Sequence, residues 1–341
     1  MKQAILYILA GLIITGGIMY YQWFVRDAYE LPESHSEVQV ITLENDSMEE
    51  ILETDGVRHS IPLDEILSGG PPKDGIPSID DPFFMPVVQA PTWLDGTGEG
   101  ISLILDGVER FYPFQVLVQH EIANDEIDGQ KVLVTYCPLC KTGVVFDPIV
   151  KGERVEFGVS GKLWNSNLLM YDRSGENNES LWSQISGEGV VGPATGETLP
   201  IILSDIVTLD AFTAAHPNGE VIVGKNGREG RYTSIPYGGD LNDIDPIFPV
   251  NHKDDRLDEN AFILGVEVDG NVKAYHVDAI EALGEAHDTV GDTMIIARFE
   301  EEEGAVRIYT ISEDDSETRL QAIPSFWFSW VAVHPETELY K

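Results

Sequence analysis

The sequence predicts a β-rich α+β fold made of two degenerate half-repeats in one domain, and three observations lead there. Short apolar runs bounded by Gly, Pro, Asn and Asp recur at residues 101–105, 132–136, 221–223, 262–268 and 294–299, the mark of many short strands. Helical periodicity is sparser: it is clearest over Pro113 to Ile122 and Val277 to Ala286, with a shorter stretch from Leu209 to Ala215. The third observation is an ungapped internal match of Asp106 through Tyr136 with Asp269 through Phe299. Asp106/Asp269, Gly107/Gly270, Tyr112/Tyr275, Ala123/Ala286 and Asp125/Asp288 are identical. Each copy reads as strand, Asp-Gly turn, Tyr, helix, Asp and apolar strand. His-Pro pairs at His216-Pro217 and His334-Pro335 close the copies, giving half-repeats over about 100–225 and 260–341.

Ahead of this body, Ala4 to Tyr21 is a run of eighteen uncharged residues ending among Tyr20, Tyr21, Trp23 and Phe24. Its length and aromatic flank predict a transmembrane anchor over residues 1–26. Lys2 precedes the run and acidic residues follow Arg26, so the body is expected outside a cell membrane that it spans once. A cleaved signal peptide is the alternative, but no small-residue cleavage site follows the run. Residues 27–68 are acidic and read as a linker, and residues 69–341 as the domain. The chain carries 59 acidic against 21 basic residues, a net charge of −38. That charge excludes nucleic acid and an anionic lipid surface as partners, and it leaves small molecules, glycans or proteins. Asp240-Leu-Asn242-Asp243-Ile-Asp245 has the density of a calcium loop but not its Gly and Glu positions, and reads as a solvated turn.

Both cysteines fall in one turn, Tyr136-Cys137-Pro138-Leu139-Cys140. Val132 to Tyr136 and Val144 to Phe146 flank it as strands, and Pro138 and Gly143 supply turn chemistry. Where the first copy has Cys137 to Cys140, the second has Glu300 to Glu303, so the scaffold does not need thiols there. Three readings stay open. Two thiolates can hold a transition metal, zinc or copper, with His120 as the best third ligand and Met170 and His334 as remote ones. A dithiol can cycle with a disulfide, although no helix N-terminus follows to lower a thiol pKa. The pair can also be a plain structural disulfide, worth about 2 kcal/mol on the loop-entropy model, or two idle thiols.

At this point the chain resembles the domain of unknown function 3179 family of bacterial and archaeal proteins. The stretches that carry the resemblance are Gly69-Gly-Pro-Pro-Lys-Asp-Gly-Ile-Pro77, His120-Glu-Ile-Ala-Asn-Asp125, Thr135-Tyr-Cys-Pro-Leu-Cys140, Phe157-Gly-Val-Ser-Gly-Lys-Leu163 and Leu169-Met-Tyr-Asp-Arg173. Ser180-Leu-Trp182 and the stretch from Trp330 to Glu338 also fit. The resemblance implies a secreted or membrane-anchored protein and no particular activity. Ala123 and Lys141 depart from the usual pattern.

Phe157-Gly-Val-Ser160-Gly-Lys162-Leu is neither a P-loop nor a nucleophile elbow, because its glycines are misplaced for both. The polar density after it makes Lys162, Asn165, Asn167 and Asp172, with Glu121 and Tyr136, the expected pocket beside the hairpin. Trp164 and Trp182 could stack on a sugar, but core packing is the better reading for both. The expected function is a metal or dithiol site at Cys137 and Cys140 with His120 nearby. The alternative is a non-catalytic glycan- or peptide-binding or envelope-structural module. Whether the protein is an enzyme stays open.

Overall fold

Two Asp-Gly turns set the register of the molecule. Asp106-Gly107 and Asp269-Gly270 all take left-handed backbone angles (φ 51°, 82°, 50° and 74°), as a two-residue turn between twisted strands requires. In this computed structural model, which describes residues 39–41, 51–175, 178–224, 232 and 247–341, each turn joins the first hairpin of a half. The first half runs β1 (Glu99–Leu105), β2 (Val108–Pro113), α1 (Phe114–Leu117), β3 (Ile122–Ile127), β4 (Gln130–Cys137) and β5 (Thr142–Phe146). An insert follows, whose main strands are β6 (Phe157–Trp164), β7 (Asn167–Asp172), β8 (Leu181–Ser183) and β9 (Gly189–Val191). The half then closes with β10 (Ile201–Ile202), β11 (Ser204–Thr208), α2 (Leu209–Ala215) and β12 (Glu220–Ile222).

The second half repeats the scheme without the insert: β13 (Phe262–Val268), β14 (Asn271–His276), α3 (Val277–Leu283), β15 (Glu285–Val290), β16 (Thr293–Glu300) and β17 (Ala305–Ile311). It closes with β18 (Glu317–Leu320), β19 (Ile323–Phe326), α4 (Trp327–Val333) and β20 (Glu338–Tyr340). Sheet orders agree between halves: β11-β1-β2-β12 matches β19-β13-β14-β20, and β10-β5-β4-β3 matches β18-β17-β16-β15. Even the parallel pairing of the last strand recurs, with Glu220 opposite Arg110 and Glu338 opposite Lys273. The duplication read from five identities is therefore a duplication of topology and register.

A polar cluster repeats with it. Asp125 accepts from Arg110 Nη1 and Tyr112 Oη, both at 2.5 Å, and Asp288 pairs with Lys273 Nζ at 2.7 Å and accepts from Tyr275 Oη at 3.2 Å. Each cluster anchors the second strand of a half to the strand after its helix. The apolar face of each half buries its own core: Ile101, Phe111, Tyr112, Phe114 and Val134 in the first, Leu264, Tyr275, Ile280 and Ile295 in the second.

The insert builds a further sheet, in which β6 to β9 continue through Val57–His59 to Ile51–Thr54, with Leu67–Ser68 on the other edge. This corrects the expected linker over 27–68: residues 51–68 belong to the folded body, and Ile51 and Ile61 are buried. The alternating apolar residues of 51–61 complete the edge that Val191 presents to His59. The helix predicted over Leu209 to Ala215 is found with those bounds, while the other two shorten at their C-termini. The one over 113–122 stops at Leu117, and Leu117 O takes the Glu121 amide at 2.6 Å while Glu121 turns left-handed at φ 59°. Gly284 ends α3 in the same way, so Ala286 falls in a strand. Among the described residues no helix is long and apolar enough to cross a membrane; the run from Ala4 to Tyr21 and the acidic turn from Asp240 to Asp245 lie outside them.

Candidate functional site: a buried thiol pair between the halves

β4 and β5 pair with Cys137 opposite Thr142, leaving Pro138 to Lys141 as the loop. The Cys140 amide bonds Cys137 O at 3.2 Å and Lys141 takes φ 51°, which folds the second sulfur back over the first. The two Sγ atoms lie 3.0 Å apart. Both are free thiols, buried at 1% and 0% exposure. A separation that short leaves only a small movement to the 2.05 Å of a disulfide.

Three parts of the chain enclose the pair. The insert contributes the β6–β7 turn, where Asn165 and Ser166 both adopt left-handed angles (φ 50° and 63°) and Ser166 O stands 3.2 Å from Cys140 Sγ. Asn167 Nδ2 lies 3.4 Å from Cys140 Sγ and 3.0 Å from Gln184 Oε1. Gln184 in turn donates to Thr135 Oγ1 at 3.0 Å and Thr142 O at 3.1 Å. The second half contributes the Phe326 amide, bonded to Cys140 O at 2.8 Å, and Ser329 of α4.

These contacts separate the two thiols electrically. Burial works against the anion at Cys140, but the contacts with Cys137 and Asn167 and the nearby Ser329 side chain outweigh it and hold the Cys140 thiol below its ordinary value. Burial pushes Cys137 well up, and the bond to Cys140, the charge on Cys140 and the charge of Glu121 push the same way, against a Leu168 amide. Of the two thiols, Cys140 is thus the more acidic.

Glu121, the residue that ends α1, is the third ionisable group. Burial alone raises its carboxyl to about 8, so it exchanges a proton near neutral pH. It lines a cavity of about 300 Å³ with Leu139, Val159, Lys162, Leu168 and Phe248. The cavity therefore adjoins the thiol loop through Leu139, and the charge of Glu121 acts on both sulfurs.

The other expected site residues divide. Asn167 touches Cys140, and Asn165 ties the same turn to Ala332 O at 3.3 Å and to the Asn251 amide at 2.9 Å. Lys162 lines the Glu121 cavity. Tyr136 is core, its ring stacked 3.9 Å from that of Phe114. Asp172 is core as well, accepting from the Ser174 and Ser180 amides and from Trp182 Nε1 at 2.7 Å. His120 spends both ring nitrogens elsewhere, Nδ1 on Pro77 O at 2.7 Å and Nε2 with Tyr232 Oη at 3.0 Å. Met170 packs in the apolar cluster around the cysteines, and His334 stacks on Trp330 with its ring lowered to about 4 by burial. Among the described residues no three His, Cys, Asp or Glu gather as a metal centre. Trp182 is fully buried, which removes it as a sugar platform, and Trp164 Nε1 donates to Glu65 at 3.0 Å.

Ser166, Gln184 and Ser329 were not singled out from sequence. Ser329 left one signal, a lone hydroxyl in the otherwise apolar Phe326-Trp-Phe-Ser-Trp-Val-Ala-Val.

The fold and site define a class: a duplicated β-rich protein in which one half, with its insert, holds a buried dithiol and the other half closes over it. The chain belongs to the family described as Protein of unknown function (DUF3179), whose model matches residues 73–337. No curated protein and no solved structure matches it.

Proposed function

We propose that this protein is a dithiol–disulfide redox protein, with Cys140 as the reacting thiolate, Cys137 as its partner and Glu121 as the group that passes protons to the adjoining cavity. The observation that carries the reading is the 3.0 Å contact between two free thiols of opposed acidity. Thiol–disulfide exchange with a disulfide such as oxidised glutathione joins the two sulfurs, and the disulfide's two sulfurs leave as thiols carrying the two electrons and the two protons; reduction reverses each step. Ionised Glu121 accepts the proton that leaves Cys137, and a carboxyl at about 8 is matched to that task near neutral pH. On the outer side of a membrane, where the N-terminal apolar run would put it, the pair would meet oxidising conditions.

The test is a redox titration of the purified chain against dithiothreitol or glutathione buffers, with thiols counted at each potential. A reversible two-electron transition, lost in Cys137→Ser and Cys140→Ser, supports the reading. A bond that no buffer reduces in the folded protein would reduce the site to a structural staple. The second reading, two-thiolate binding of a soft metal, rests on the adjacent pair of sulfurs itself. Stoichiometric copper or zinc in the reduced protein, absent from the double cysteine variant, would select it.

A further inference from the structure

The cavity beside Leu139 contains a polar group that the protein itself leaves unsatisfied. Glu121 lines it and is only 7% exposed. Its backbone is fully used: the amide bonds Leu117 O at 2.6 Å, and the carbonyl accepts the Tyr136 amide at 2.7 Å. Among the described residues its carboxyl makes no hydrogen bond and no ion pair, and burial alone moves its acidity. Gln119 and Lys162, which also line the cavity, are engaged in interactions of their own. A carboxyl kept protonated up to about 8 offers a donor that nothing receives, whereas buried polar groups in folded proteins are nearly always bonded.

The backbone builds the space around that carboxyl. Strand β6 bulges between Val159 and Lys162, and the strap from Gly69 to Gly75 crosses the bulge, with the Gly69 amide on Gly161 O and the Asp74 amide on Val159 O, each at 2.9 Å. At Gly161, φ 71°, a Cβ would lie 2.2 Å from Pro71 O, so glycine is what lets the strap close on the strand. The enclosed space is about 300 Å³, and apart from Glu121, Gln119 and Lys162 its described wall is apolar, with Val159, Leu163, Leu168 and Phe248 as its larger part. Pro71, Ile76 and Lys162 are half-buried, so the cavity reaches the surface beside the strap.

Water fills such a space poorly. It would take about ten molecules, each needing two to four polar partners, and a largely apolar wall does not supply them. The size, the apolar wall and the single convergent donor are those of a small-molecule site. A charged ligand of either sign would have to shed its water against that wall, and a cation would also meet Lys162. A neutral ligand with an acceptor oxygen meets neither obstacle and takes the proton that Glu121 offers. We propose that this cavity binds a small neutral carbonyl compound, its apolar body against Val159, Leu163, Leu168 and Phe248 and its oxygen accepting from the Glu121 carboxyl. This goes beyond the dithiol reading and does not depend on it, since neither cysteine lines the cavity.

Calorimetric titration of the full chain with 1-tetralone, a bicyclic ketone, tests it at about pH 6, where Glu121 is protonated. Tetralin serves as the same body without the oxygen, and 1-aminotetralin and tetralin-1-carboxylate as its charged counterparts. Tetralone should bind at least about tenfold more tightly than any of the three, with an affinity indifferent to salt. Glu121→Met keeps the bulk and removes the donor, so tetralone should fall to the affinity of tetralin. Glu121→Gln keeps an N–H donor and should keep the preference for the ketone, which separates loss of the hydrogen bond from loss of the fold. Melting curves show that each variant is folded before it is titrated. No binding of tetralone, equal affinity for tetralin, tighter binding of either charged compound, or a preference that survives in folded Glu121→Met overturns the proposal.

Discussion

Glu121 stands where Gly284 stands in the other half. Both end a helix at left-handed angles, φ 59° and 79°, and both return their amide to the carbonyl four residues back, Leu117 and Ile280, at 2.6 Å and 2.8 Å. Lys141 and Gly304 repeat the relation after the cysteine hairpin and its counterpart (φ 51° and 70°). Lys141 pairs with Glu99 at 2.8 Å while almost fully buried. The scaffold accommodates glycine at both positions, and the half that holds the thiols puts a charged side chain at each. A non-glycine residue in this region costs about 1 kcal/mol.

Replacing Glu121 by glycine should therefore stabilise the protein. The backbone strain disappears and a carboxyl no longer has to be buried, so chemical denaturation should show a gain of about 1 kcal/mol or more. The same variant should slow dithiol oxidation near neutral pH, because no base remains beside the pair. A loss of stability would mean that the side chain makes contacts worth more than its strain.

The pH dependence of stability follows from the same carboxyl. Its folded value, about 8, lies above the ordinary 4.5, so between these values the folded state binds the extra proton. Stability from this group is then full below about 4.5, falls as pH rises, and is at its lowest above about 8. The steepest slope is about 1.4 kcal/mol per pH unit for one proton. Glu121→Gln, compared with the parent from pH 5 to pH 8, should remove this fall; parallel curves for the two proteins would show that Glu121 is not buried as described.

Thiolate absorbance separates the cysteines. In Cys137→Ser the remaining Cys140 should ionise at the lower pH of the two single variants, and in Cys140→Ser the remaining Cys137 should stay protonated well into alkali. Asn167→Ala removes a donor from Cys140 and should move its titration upward. Asn167→Ala should also cost about 1 kcal/mol, since Gln184 Oε1 loses its partner. Identical titrations for the two cysteine variants would remove the assignment of Cys140 as the thiolate.

Local signals account for what sequence could reach. The Asp106-Gly107 and Asp269-Gly270 turns, the Tyr–Asp pairs and the alternating apolar residues report neighbouring chain, and they carried the strand-rich class, the duplication and the hairpin of Cys137 and Cys140. The wall around the thiols is non-local: Asn167 and Gln184 come from the insert and Ser329 from a helix almost two hundred residues on, with no periodicity linking them to Cys140. His120, expected as the best third ligand, instead turns its ring to Pro77 O and Tyr232 Oη, partners that no local pattern reveals. The left-handed angle of Glu121 was hidden as well, because a glutamate gives no sign of the conformation that Gly284 announces.

The duplicated Asp clusters give a prediction that isolates scaffold from site. Asp125 has a side chain only 3% exposed and is bonded to Arg110, Tyr112 and the Glu126 amide, whereas Asp288 is 18% exposed and pairs with Lys273. Removing Asp125 leaves Arg110 only the longer pair with Glu220 at 3.6 Å and strands the buried Tyr112 hydroxyl, so Asp125→Ala should cost about 3 kcal/mol. Asp288→Ala, whose Lys273 keeps Glu338 at 3.2 Å, should cost about 1 kcal/mol. Neither change reaches Cys137 or Cys140, and folded samples of both variants should keep the parent's thiolate titration. A shifted titration in Asp125→Ala would make this carboxylate part of the dithiol site and would end the reading of the paired clusters as scaffold.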